Sequence, residues 1–267
     1  MEEKYIVCIP FGGFNDKMNV IWKCYQYAIT YNRILVIDTQ RTNAFFEDIR
    51  EYLYFKPENI YKGDLNSLYT SIKDYSIFPR EYNIVSKSNT NIRINLSINY
   101  NEKIIVFANC GGGERLIDTF NLCSFAPFIL NVFKERYKSL PKGYISVHIR
   151  NTDMKSDIKK FLNTHINLLK DKSIFLGTDH APTILEFKSL FKDNLYSFAE
   201  IPDNKGNSIH HRNQGSKQRS FNIDCIVDLL LLASGSKIYY PSLFSGYTRA
   251  ALALHKEQSI LKRLTEQ

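Results

Sequence analysis

Much of what would announce a familiar chemistry is missing from this 267-residue chain. There is no G-x-x-x-x-G-K-[ST] run, no complete G-x-G-x-x-G, no G-x-S-x-G elbow and no H-E-x-x-H. These absences remove the P-loop, the dinucleotide fingerprint, the hydrolase nucleophile turn and the zinc-protease helix. The five cysteines, Cys8, Cys24, Cys110, Cys123 and Cys225, are odd in number, dispersed and set mostly in apolar runs such as "YIVCIP" and "NIDCIVDLL". That excludes zinc spacing and a disulfide framework, and reads as small core residues in a reducing compartment. No apolar run approaches the roughly 18 residues that a membrane span needs, and "MEEK" leads straight into a strand without a charged-then-apolar leader. The expected location is cytoplasmic, at the inner face of the cytoplasmic membrane if lipid is touched at all, with no more than peripheral contact. No Lys/Arg-rich block or RNA-type aromatic motif is present, so nucleic acid is not the expected partner.

What is present is a 44% hydrophobic chain with 35 basic and 27 acidic residues, a formal charge of +8. The excess is moderate and reads as spread along the chain; it fits an ordinary basic surface as well as an anion site. "KYIVCIP", a Gly-Gly turn, a helical repeat through Met18, Ile21, Trp22, Tyr25, Ala28 and Ile29, and "RILVID" form a βαβ opening. "NAFFEDIREYLYF" and "GDLNSLYTSIKDY" read as helices, and the Asn/Ser-rich stretch 86–100 as loop with a short strand. "KIIVFANCGGG" is a strand ending in glycines, followed by a helix in "SFAPFILNVFKERYKSL". Beyond "LPKG" at 140–143, strands and helices alternate strictly: strands at 144–150, 173–178, 195–198 and 237–241, helices near 157–170, 181–193 and 222–234, and a last one from 246. Such alternation predicts an α/β fold of two Rossmann-like parallel-sheet domains, 1–139 and 140–267.

In open parallel sheets, ligands bind beyond the carboxyl ends of the strands, where loops gather and helix N-termini present partial positive charge. The chemistry-bearing residues collect there. Arg150, Thr152 and Asp153 follow "YISVHI"; Thr178, Asp179 and His180 follow "SIFLG"; Ser242, Ser245 and Arg249 follow "KIYYP"; Gly12, Gly13 and Asn15 follow the first strand. Capping explains several of these singly: Thr178 and Asp179 suit the helix at Pro182, and Asp153 or Ser156 the helix before it. His148, two residues from Arg150 and on the same face of the pleat, suits a satisfied core position. Arg150 is different, because an arginine closing an apolar strand loses hydration and needs an anion, and its planar fork matches phosphate. Asp228, inside "CIVDLLLLA", stands in a helix apolar nearly all round.

The order of these pieces resembles the fucosyltransferase superfamily, which holds the nodulation and core α1,6-enzymes, the α1,2-enzymes and the protein O-fucosyltransferases. "VHIRNTD" is similar to its His-x-Arg-Arg-x-Asp box and "FLGTDH" to its strand with a Thr-Asp-Asp ending. "DCIVDLLLLASGSKIYYPSLFSGYTRAALAL" resembles its last block, and "GGFNDKMNVIWKCYQYAITYNRILVID" its opening glycine turn and helix. The likeness covers roughly 1–38 and 144–255. It implies a GT-B fold with two domains facing a cleft, a nucleotide-sugar donor (GDP-fucose or a related GDP-sugar) on the C-terminal half, an acceptor on the N-terminal half, and inverting transfer without metal or other cofactor. The lack of any D-x-D pair agrees with the last point. It further implies that Arg150 takes the donor diphosphate, that His148 and Asp228 help fix the nucleotide and that arginine, that Ser245 bonds a phosphate, and that Asp179 lines the donor site. Asp157, ahead of Asp153, is the expected base for the acceptor hydroxyl, because Asp153 is expected to be tied to Arg150 or to a helix cap. Asn151 and Arg249 complete the expected donor site, with Gly12, Gly13, Asn15 and the loop residue His211 on the acceptor side or in the cleft.

Two positions depart from the pattern: Asn151 stands for the second arginine and His180 for the second aspartate. Either Lys155, Arg249 or Arg212 supplies the missing charge, or the sugar is not the family's usual one. The acceptor expected is a bacterial capsule or lipopolysaccharide glycan, free or lipid-linked. Two other readings fit the same residues: a phosphate-ester-handling α/β enzyme, and a non-catalytic module that binds a sugar nucleotide or glycan.

Overall fold

The computed structural model describes residues 3–41, 46–84, 91–202, 215–241 and 245–266. The chain divides into two compact units, Met1–Ser124 and Phe125–Gln267.

The first unit runs β1 (Tyr5–Phe11), α1 (Phe14–Thr30), β2 (Ile34–Ile37), a 3-10 turn (Ile49–Glu51), β3 (Leu53–Phe55), α2 (Leu65–Ser71), β4 (Ile77–Phe78), β5 (Ile104–Cys110), α3 (Leu116–Asn121) and β6 (Cys123–Phe125). Its main sheet has the order β2-β1-β5-β4, with every pair parallel. β1 and β5 are near-continuous apolar runs because a central parallel strand is covered on both faces. Val7, Ile9, Val36 and Val106 pack with Leu65, Leu68 and Tyr69 of α2, while α1 covers the other face, where Cys24 meets Cys8. β3 and β6 form a separate two-stranded ribbon.

The second unit runs α4 (Pro127–Ser139), β7 (Ile145–Ile149), α5 (Ile158–Leu169), β8 (Ile174–Thr178), α6 (Ala181–Phe191), β9 (Leu195–Tyr196), α7 (Gln218–Ser234), β10 (Ile238–Tyr239), α8 (Gly246–Lys256) and α9 (Gln258–Thr265). Its sheet has the order β10-β7-β8-β9, again parallel throughout. Ile145, Val147 and Ile149 face α5 and α6 through Phe161, Leu162 and Phe187. The alternate residues face α7, where Tyr144 and Ser146 bond the Leu231 carbonyl.

Three expectations change. The division falls before α4 rather than at 139/140, because α4 is fastened to α7 by Arg136 on Asp224 at 2.6 Å. Of the helix expected across 43–55, residues 43–45 lie outside the described residues, and the remainder holds a 3-10 turn and the strand β3, whose Leu53 and Phe55 are buried while Tyr54 is exposed, a period of two that pairs with β6. Finally, the basic excess is not spread along the chain. Residues 1–124 hold 14 basic and 14 acidic side chains, residues 125–267 hold 21 and 13, so the second unit carries all of it. Among the described residues no helix is long and apolar enough to cross a membrane.

Candidate functional site

The site begins with the pleat of β7. Odd-numbered residues fill the core under α5 and α6, which turns His148 to the opposite face, where its Nδ1 lies 2.6 Å from the Thr248 hydroxyl and its ring 5.2 Å from that of Tyr247. Burial, with the Arg150 charge adding, pushes the His148 pKa down to about 3, so the imidazole is neutral near pH 7 and acts as a hydrogen-bonding post. Thr248 belongs to the first turn of α8, whose N-cap Ser245 accepts from its backbone N–H at 3.4 Å. His148 therefore pins the N-terminus of α8 beside the end of β7.

Arg150 leaves β7 and is gripped by Asp153. Nε lies 3.1 Å from Oδ1, Nη2 lies 2.8 Å from both carboxylate oxygens, and Asp179 stands 4.0 Å away. Nη1 of Arg150 has no partner among the described residues. Burial raises the Asp153 pKa but the Arg150 contacts outweigh it, so this carboxyl is held below its usual range. Asp179, at the end of β8, ties the two strand ends together by accepting from the Asn151 N–H at 2.7 Å and from the Thr152 hydroxyl at 2.5 Å. It does not cap α6; the cap position is His180.

Asn151 and His180, the two departures from the family boxes, touch each other. Asn151 Nδ2 is 3.3 Å from His180 Nδ1, which also lies 2.9 Å from the Thr183 hydroxyl. Where the resemblance implied an arginine and an aspartate, an amide and an imidazole meet.

His148, Arg150, Lys155, Ser156, Ser245 and Thr248 line one recess. The structure thus gathers three expected donor residues, His148, Arg150 and Ser245, around the positive end of a helix. Lys155 joins them and bonds the Asn151 carbonyl at 3.2 Å. Thr248 and Ser156 were not expected; the only hint of Thr248 was its place three residues after a serine cap.

Others stand elsewhere. Asp157 is exposed and caps α5, accepting from the Lys160 N–H at 2.9 Å, the task expected of Asp153 or Ser156. Arg249 is exposed on α8 and does not line the recess. Asp228 is not paired with Arg150. Its neighbour is Arg136, whose Nη2 lies 2.6 Å from Asp224, leaving 3.8 Å from Nη1 to Asp228 Oδ1. That buried oxygen has no hydrogen-bond partner among the described residues. Burial, with Asp224 adding and Arg136 opposing, pushes the Asp228 pKa up to about 8.

In the first unit Gly12 takes φ +84°, a conformation that favours glycine, and Gly13 caps α1 while its N–H reaches Asp16 at 3.2 Å. Asn15 Nδ2 donates to the Gly113 carbonyl at 3.4 Å. Two features there escaped the sequence reading. Lys17 is buried with its Nζ 2.7 Å from the Pro10 carbonyl, and burial lowers its pKa to about 7. Past β2, Asp38 holds Arg41 at 2.6 Å and Tyr69 at 2.6 Å, and Arg41 reaches Tyr82 at 2.9 Å. His211, Arg212 and Ser242 lie outside the described residues.

No protein-family model and no curated protein sequence matches the chain. Solved structures do. NodZ α-1,6-fucosyltransferase soaked with GDP-fucose matches at TM-score 0.65 and 15% identity over 95% of this chain and 93% of that one. Fucosyltransferase NodZ from Bradyrhizobium matches at 0.63 and 15%, over 94% and 92%. POFUT1 in complex with GDP-fucose matches at 0.58 and 10%, over 94% of each. At such identities the likeness is one of fold: the chain is a mixed α/β protein with parallel sheets, built like the GT-B fucosyltransferase structures.

Proposed function

We propose that the chain is a glycosyltransferase that moves a fucose-like sugar from a GDP-sugar to a hydroxyl of a bacterial surface glycan. The observation that carries the reading is Arg150. It is a guanidinium fixed at the end of a central strand by Asp153, with Nη1 unpaired among the described residues, beside Lys155 and the Ser245-capped N-terminus of α8. Charge and oriented N–H groups at that point suit a departing diphosphate without a metal ion. The likeness of fold to proteins solved with GDP or GDP-fucose supports the same donor. Neutral His148 holds α8 in register for that task, and Asp228, buried with an oxygen that has no hydrogen-bond partner among the described residues, is suited to bond the nucleotide. The acceptor side, with Gly12, Gly13 and Asn15, is assigned to the first unit.

Of the two candidate bases, Asp153 is spent on Arg150 and its lowered proton affinity makes it the weaker acceptor. Asp157 gives one oxygen to the α5 cap and keeps the other, and is assigned the base role. Five free thiols fit a reducing compartment, and the basic second unit fits a site at the inner membrane face.

Calorimetric titration with GDP, UDP, CDP and ADP in EDTA tests this. Tight binding of one nucleotide by the wild type, weakened about tenfold or more in Arg150→Ala, is expected; no binding of any by well-folded protein would refute it. For the base, Asp157→Asn, which keeps the cap, is expected to retain donor affinity and lose turnover by about a hundredfold or more in a donor-consumption assay.

A further inference from the structure

The first unit contains a cavity of about 410 Å³, a size within the usual range of small-molecule sites, that shares no residue with the recess around Arg150. It lies at the outer edge of the main sheet. β2 is the edge strand, and its Leu35 is bridged to Ile60 and accepts from the Tyr61 N–H at 2.8 Å, so the segment carrying Ile60 to Lys62 continues the sheet there. The 3-10 turn and β3 close the cavity from the other side.

Its walls combine three things. Leu53, Phe55 and Ile60 make a buried apolar floor. Two tyrosines also line it: Tyr54 is half exposed, and Tyr61 is followed by a turn with Gly63, where a Cβ would sit against the Tyr61 hydroxyl. The third is a rigid polar group. Arg50 is locked on Asp48, Nε at 2.9 Å from Oδ1 and Nη2 at 2.7 Å from Oδ2, and its Nη1 donates to the Gly63 carbonyl at 2.9 Å. Those bonds engage three of the five guanidinium N–H groups, leaving two, among the described residues, for a ligand.

The charges decide the ligand class. Asp48 and Glu51 balance Arg50 and Lys62 in the lining, as the whole first unit is balanced. A phosphate or carboxylate would meet an arginine already neutralised and a neighbouring Glu51. A neutral, polyhydroxylated ring meets an aromatic face for its C–H side and fixed N–H donors for its oxygens. We infer that this cavity is a binding site for a neutral oligosaccharide, holding a stretch of the glycan acceptor. The inference rests on the transferase reading for the identity of that ligand, while the binding itself can be measured without turnover.

The test is nitrogen-15 NMR of the full chain titrated with cellotetraose, maltotetraose and chitotetraose, with tetragalacturonate as the anionic control and GDP added last to the same sample. The expected result is shifts at Arg50, Tyr54 and Lys62 with at least one neutral sugar and none with the anion, weakened tenfold or more in both Tyr54→Ala and Arg50→Gln. No shift at these residues with any neutral sugar, equal binding of the anion, or neutral-sugar binding unchanged in both variants would overturn it. The GDP step keeps the two readings apart: donor binding without sugar binding refutes this site alone, and sugar binding without donor binding refutes only the donor assignment.

Discussion

Two arginine–aspartate pairs, each three residues apart and each just past a parallel strand, behave in opposite ways. In the first unit Arg41 and Asp38 expose 3% and 2% of their side chains, and Tyr69 and Tyr82 close the ring of hydrogen bonds around them. In the second, Arg150 and Asp153 expose 22% and 38%, and part of the guanidinium has no partner among the described residues. The motif and the place on the sheet are alike; what differs is whether the surroundings complete the hydrogen bonding. A saturated pair holds loops together. An unsaturated one beside a helix N-terminus is available to a ligand. The units differ in the same sense as a whole, one with balanced charge and the other with the entire excess of positive charge.

This contrast can be broken by exchange of residues. Arg41→Ala leaves Asp38 buried without its cation, and the loss in urea unfolding should be about 3–5 kcal/mol. Arg150→Ala, at a partly exposed pair, should cost about 1 kcal/mol or less in the same measurement. Equal losses would show that the second pair is also a structural tie.

The second comparison concerns affinity. Charge-assisted hydrogen bonds are worth about 1.5–3 kcal/mol, so Arg150→Ala should weaken GDP by roughly ten- to a hundredfold, whereas Arg41→Ala protein that remains folded should bind as before. A smaller effect is expected where Asn151 meets His180. A double-mutant cycle of Asn151→Ala and His180→Ala, read by thermal unfolding, should return a coupling of about 0.5–1 kcal/mol. Coupling near zero would mean that the two departures from the family boxes are independent.

The last comparison is a slope against pH. Asp228 has a folded pKa of about 8, raised from the ordinary 3.8, so the folded state holds a proton that the unfolded chain releases. Its contribution is fully present below about pH 4 and is lost as pH rises toward and through 8. His148 acts in the other direction: with a folded pKa of about 3 against an ordinary 6.5, it favours the folded state above about pH 6.5 and costs stability as the pH falls toward 3. Between pH 6.5 and 8 Lys17, with a folded pKa of about 7 against an ordinary 10.5, adds a slope of the opposite sign, so Asp228→Asn should make the slope of melting temperature against pH more positive than in the wild type. An unchanged slope would place the proton elsewhere.

The parallel sheets, the long helices and the gathering of His148, Arg150, Asp179 and Ser245 at strand ends were legible because period and position encode them. Apolar runs specify central strands, and the residue that ends a strand lies at the sheet edge whatever the packing. β3 was misread as helix because "EDIREYLYF" satisfies both periods over so short a stretch, and its pairing with β6 lies some 70 residues away. The cluster of Asp38, Arg41, Tyr69 and Tyr82 was invisible for the same reason: separations of up to 44 residues leave no local pattern.

By itself, then, the sequence determined which residues would stand at the carboxyl edges, and that Arg150 would need an anion there, since both follow from alternation and from the cost of dehydrating a guanidinium. Only the tertiary structure decided who answers each charge. It settled Asp153 on Arg150 rather than on a helix cap, gave Arg136 to Asp224, left one Asp228 oxygen without a hydrogen-bond partner among the described residues, and set Asn151 against His180. Hydrogen bonds act over about 3 Å in space, and distance along the chain carries no information about which elements will bring two groups that close.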